Sequence, residues 1–112
     1  MGFLKSFRDQ GKANALMSHL EFARDRFQPN DPSLALRHLA DALKALAAIK
    51  SAGAERTLSA TGWTYVIDVC LQVGMIVATY HLADAMKDVD FILEHAKKYR
   101  DEARAIELGD AN

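Results

Sequence analysis

Apolar residues along the chain recur at three- and four-residue steps, interrupted at a few glycines and prolines, and no stretch alternates apolar and polar positions as a half-buried strand would. The pattern predicts helices alone. Over about residues 12–28, Ala13, Leu16, Leu20, Ala23 and Phe27 fall on one helical face. Pro29-Asn30-Asp31-Pro32 ends that helix, because the residue before each proline is pushed out of the helical region. A second helix reaches about Ser51, with Asp31 as N-cap, Pro32 in the first turn, and Ala35, Leu36, Leu39, Ala42, Leu43 and Leu46 as its inward stripe. Gly53 closes it, and so short a link between the two helices makes them an antiparallel αα-hairpin.

Beyond the polar linker 54–59 the pattern changes. A helix starting near Thr61 is apolar on nearly every side, through Trp63, Tyr65, Val66, Ile67, Val69, Cys70, Leu71, Val73, Met75, Ile76, Val77 and Tyr80. Its polar residues Thr61, Thr64, Asp68, Gln72 and Thr79 gather in one stripe about 80° wide, so most of the circumference needs a cover. Asp68 and Gln72 lie in the middle of the run, which is also shorter than the about 20 residues of a bilayer span. Protein is the expected cover, and stable membrane insertion is not expected.

From Leu82 the residues Ala85, Val89, Ile92, Ala96, Tyr99, Ala103 and Ile106 continue as the seam of a coiled-coil-like helix. No glycine, proline or asparagine stands between Met75 and Leu108. The pattern therefore allows one helix of about 45 residues, roughly 70 Å long, or two helices with a break within residues 80–88. The fold class predicted is all-α, a helical bundle of antiparallel αα-hairpins with four helices, or with three and a long C-terminal one. Residues 1–11 read as a short amphipathic arm, 12–107 as a single bundle domain and 108–112 as a tail.

Composition narrows the functional classes. A chain of 112 residues fits one domain, and a formal net charge of −1 lacks the basic excess that neutralises phosphates, so nucleic acid is not an expected partner. The lone Cys70 excludes an internal disulfide and suits a reducing compartment, and the N-terminal segment is too short and too charged for a secretory signal; both point to the cytoplasm.

One echo stands out: residues 38–44, HLADALK, recur as residues 81–87, HLADAMK. Either a hairpin has been duplicated with a 43-residue offset, or two Leu/Ala-rich helices have converged. Each copy carries a histidine and an aspartate one turn apart, His38 with Asp41 and His81 with Asp84, so two facing rows would make a two-histidine, two-carboxylate metal site; otherwise these are solvated surfaces. The stripe Thr64, Asp68, Gln72 is a candidate ligand-binding surface if it turns inward, and simply the wet side of its helix if it does not. Phe91 sits among charges opposite the seam, and Phe3, Leu4 and Phe7 cluster on the arm; with Val69, Leu71, Met75, Ile76 and Tyr80 they are the candidate interface residues.

No glycine-rich phosphate loop, paired cysteines or nucleophile elbow is present, and no cofactor is implied. The sequence reads as a non-enzymatic interaction or adaptor module whose expected partners are a second copy of itself, through the apolar helix 61–82 and the seam 82–106, and another protein. The alternative is a bundle that holds a small ligand or a metal between helices.

Overall fold

Four helices make up nearly all of residues 2–109, the part of the chain that this computed structural model describes: α1 Gly2–Asp25, α2 Ser33–Ala52, α3 Ala60–Thr79 and α4 Ala83–Glu107, with one 3-10 turn at Glu55–Thr57. The protein is an all-α bundle of two antiparallel αα-hairpins. Met1, at the start of the arm, and residues 110–112 of the tail lie outside the described residues. The arm itself is no separate element. Its residues continue the helix N-terminally as the first turns of α1, with Gly11 tolerated in mid-helix.

Each helix end has a local cause. Ahead of α2, Asp31 Oδ1 accepts from the Ser33 N–H (3.2 Å) and hydroxyl (2.7 Å) in a local turn, while the N-cap position falls on Pro32, one residue later than the Asp31 cap its sequence predicts, and makes no side-chain cap bond. At the other end Gly53, with φ 62°, donates to the Lys50 carbonyl, and Ala54 donates to that of Ile49. The break between α3 and α4 uses the same pair of bonds without a glycine: His81 donates to Ala78 (3.2 Å) and Leu82 to Val77 (3.0 Å). His81 supplies the left-handed residue, φ 56°, one of the few side chains other than glycine enriched there. This turn excludes the single 45-residue helix.

α1 packs on α2 and α3 on α4; α1 also meets α3, and α2 meets α4. The order around the bundle is therefore α1, α2, α4, α3, and residues 53–59 cross one end diagonally. Three bonds hold that crossing. Trp63 Nε1 donates to the Glu55 carbonyl (2.9 Å), Ser59 Oγ accepts from the Gly62 N–H (3.1 Å), and Glu107 in the last turn of α4 accepts from the Ala60 N–H (2.8 Å). α1 and α3 run in the same direction, as shown by the ascending pairs Glu21 with Tyr65, Arg24 with Gln72 and Phe27 with Tyr80.

The buried positions show what the sequence echo conceals. Ala13, Leu16, Leu20 and Ala23 of α1 correspond to Trp63, Val66, Cys70 and Val73 of α3; Ala35, Leu39, Ala42, Leu46 and Ile49 of α2 correspond to Ala85, Val89, Ile92, Ala96 and Tyr99 of α4. The hairpins repeat at an offset of 50 residues, not 43. The HLADALK copy lies inside α2, whereas the HLADAMK copy straddles the turn into α4, so the echo is not the register of a structural repeat. At the true offset large faces small, as with Ala13 and Trp63, or Leu46 and Ala96, and this leaves little identity to detect.

α3 has the length and mean hydropathy (1.4) of a bilayer span, yet eight of its residues, Trp63 and Cys70 among them, are buried inside the bundle. The seam of α4 is used there too. Ala85, Val89, Ile92, Ala96, Tyr99 and Ala103 are buried within one chain as core, while Ile106 at the end of the seam is exposed. Burial pushes the Cys70 thiol up to about 12, with its Sγ placed 3.5 Å from the Val89 carbonyl it donates to.

Replacing His81 by glycine tests the α3–α4 turn. It removes the left-handed penalty of about 1–2 kcal/mol and adds roughly 0.5–1 kcal/mol of unfolded-state entropy. His81→Gly should therefore raise stability in urea unfolding by up to about 1 kcal/mol. A clear loss of stability would contradict the turn.

Candidate functional site

Two antiparallel helices joined by a tight turn bring together residues equally far from that turn. In the first hairpin this places His19 of α1 against His38 of α2. Their Nδ1 atoms are 3.0 Å apart, so one ring donates to the other. Asp41 stands one turn beyond His38 on the same face of α2, and one donor atom from each of the three residues lies within 4.8 Å of the other two. All three are half-buried.

The surroundings orient this cluster. The Phe22 ring packs on His38 with centroids 5.1 Å apart, and Arg26 covers the Phe22 ring at 4.2 Å. Beside the cluster runs a groove of about 520 Å³ between α1 and α2, with small residues, Gly11, Ala15, Ala45 and Ala48, along it and Arg8, Lys12, Lys44, His19 and Asp41 completing its lining. The small side chains leave that space open beside His19 and Asp41. Burial, then the nearby positive charge of His19 and Arg26, holds the His38 imidazole below its ordinary value, with Asp41 opposing. A neutral ring beside a carboxylate can donate, accept or ligate.

The metal-site residues predicted from the echo are only half brought together. His38 and Asp41 meet His19, whereas His81 lies exposed in the α3–α4 turn and Asp84 exposed in the first turn of α4, and neither joins the cluster. The facing rows required the hairpins to repeat at the 43-residue offset of the echo, which is not the register of the buried positions. His19 was not singled out by the sequence because it stands alone on α1; only pairing it across the Pro29–Pro32 turn would have found it.

The Thr64, Asp68, Gln72 stripe lies on the outer side of α3, with Asp68 and Gln72 exposed and Thr64 half-buried. Thr64 donates back to the Ala60 carbonyl (2.9 Å), and Gln72 accepts from Arg24 (2.8 Å). Of the candidate interface residues, Val69 is core at 2% exposure, because it lies on the side of α3 that α1 covers. Ile76 is half-buried. Met75 (71%), Leu71 and Tyr80 are exposed, the last against the Phe27 ring at 5.0 Å. Phe91 is exposed but stacked on His95 at 4.2 Å, while Phe3 (78%) and Phe7 (73%) touch one another at the free end of α1.

The geometry thus defines a four-helix bundle with one polar cluster across its first hairpin and apolar side chains exposed on α1 and α3. Compared with known proteins, the chain matches no family model, no curated protein and no solved structure.

The depressed His38 sets a pH dependence. The folded state binds its proton less readily than the unfolded chain, so this contribution to stability is complete above the ordinary value of 6.5 and is lost as pH falls through the lower folded value. Stability measured by urea unfolding should fall as pH drops below 6.5, before the carboxylates titrate, and His38→Gln should flatten that slope. An unchanged slope in the variant would place the titrating group elsewhere.

Proposed function

We propose that the protein works by binding, as a self-associating helical module in which two copies meet through the outward face of α3. The observation that carries this reading is Met75, 71% exposed in the C-terminal part of the most apolar helix, with Leu71 one turn before it and Tyr80 at the helix end. Burying such side chains is worth about 1.5–3 kcal/mol each. A second copy is the favoured occupant for two reasons. A net charge of −1 leaves little repulsion between identical chains. The chain also exposes 6724 Å², about a tenth more than the roughly 6100 Å² of a compact monomer of its mass. That excess accompanies an elongated shape, 51 × 27 × 19 Å, which presents long helix faces to a neighbour.

Phe3, Leu4 and Phe7 supply a second apolar surface that another protein can engage. A buried lone thiol, Cys70, supports the cytoplasm as the compartment.

Light scattering on a size-exclusion column over a range of concentrations tests the proposal. The chain should run as a dimer, and Met75→Glu should convert it to a monomer with unchanged helical circular dichroism, because the substitution sits on an exposed position. A monomer at every concentration, or a dimer that ignores both Met75→Glu and Leu71→Glu, would overturn it.

A further inference from the structure

We propose that His19, His38 and Asp41 form a binding site for one divalent transition-metal ion of the zinc class, held across the α1–α2 hairpin with a fourth coordination position open to the neighbouring groove. The inference is independent of self-association, since all three residues belong to one chain and lie on helices other than α3.

The spacing of the donors comes first. Two imidazole nitrogens bound to one tetrahedral zinc, each about 2.0–2.1 Å from it, stand about 3.3 Å apart. The Nδ1 atoms of His19 and His38 are 3.0 Å apart, so a few tenths of an ångström separate a hydrogen-bonded pair from a chelating one. Asp41 contributes a carboxylate oxygen within 4.8 Å of a ring nitrogen of each histidine.

The chemistry of the donors selects the ion. Two nitrogens and one oxygen suit zinc, nickel or copper, whereas calcium and magnesium take mostly oxygen ligands. Lys12 and Lys44 in the groove and Arg26 behind Phe22 further disfavour a hard cation held by charge alone, and leave the imidazole bonds to decide. Phe22 against His38 fixes one ring plane, which lowers the entropy lost when the ion binds. The groove gives the ion an entry path past His19 and Asp41.

Three ligands with one position left to solvent or an anion is the arrangement of zinc sites that do chemistry, while structural sites close all four. The hairpin would be clasped by the ion as well, so binding should raise the thermal midpoint in proportion to the logarithm of zinc concentration.

The test is a calorimetric titration of the untagged chain with zinc chloride, followed by histidine ring nitrogen resonances. One zinc per chain should bind, with the His19 and His38 resonances shifted and those of His81 and His95 unmoved. His19→Ala and Asp41→Ala should each weaken binding more than about tenfold, while His81→Ala leaves it unchanged and magnesium produces no heat. The proposal is overturned if no stoichiometric binding occurs, if the shifts appear at His81 or His95, or if His19→Ala binds as the unsubstituted chain does. The resonance shifts are read on the unsubstituted protein, so they decide the matter even if a variant fails to fold.

Discussion

Everything in this bundle follows from the need to cover α3. Its sequence places valine, isoleucine, tryptophan and cysteine around most of the helix, and water contact over that arc would cost about 25 cal/mol for each Å². The chain meets the demand with its own segments. α4 lies along one side, with Val89 close enough to Gly74 that an added Cβ would stand 3.2 Å from its Cγ1. α1 lies along the other, held by Arg24 to Gln72 and by Tyr65 to Glu21. Trp63, fully buried, joins this core to the crossover through its Glu55 bond and to α4 through the Tyr99 ring at 5.1 Å.

The elements were legible because their signals are local. Periodic apolar positions, the Asp31 turn and Gly53 act within a few residues, and they gave α2 almost to its ends. The break between α3 and α4 was legible only as one of two readings, two helices parting within residues 80–88 or one long helix, since no glycine marks it and the seam runs through it without a slip. The arm was misjudged for the opposite reason: Gly11 weakens a helix but does not end one when residues on both sides favour it.

What depends on pairing distant segments was read less well. The sequence echo suggested a 43-residue repeat and so matched His38 with His81, whereas the folded hairpins repeat at 50 and match His38 with nothing similar. His38 finds its partner inside its own hairpin, in His19. Val69 and the α4 seam were expected at an interface because apolarity alone does not tell an intramolecular cover from an intermolecular one. Only the placement of α1 and α4 makes that distinction, and it leaves Tyr65, Leu71 and Met75 as the large apolar side chains of α3 that are exposed, with Tyr80 just beyond the helix end.

Amide hydrogen exchange across a dilution series tests most directly whether one chain covers its own apolar helix. The account predicts that the amides of α3 around Trp63, Val66, Cys70 and Val73 exchange among the slowest in the molecule, and keep that protection at concentrations where the chain is monomeric. Protection of α3 that disappears on dilution would show that a partner supplies the cover, and would contradict the account.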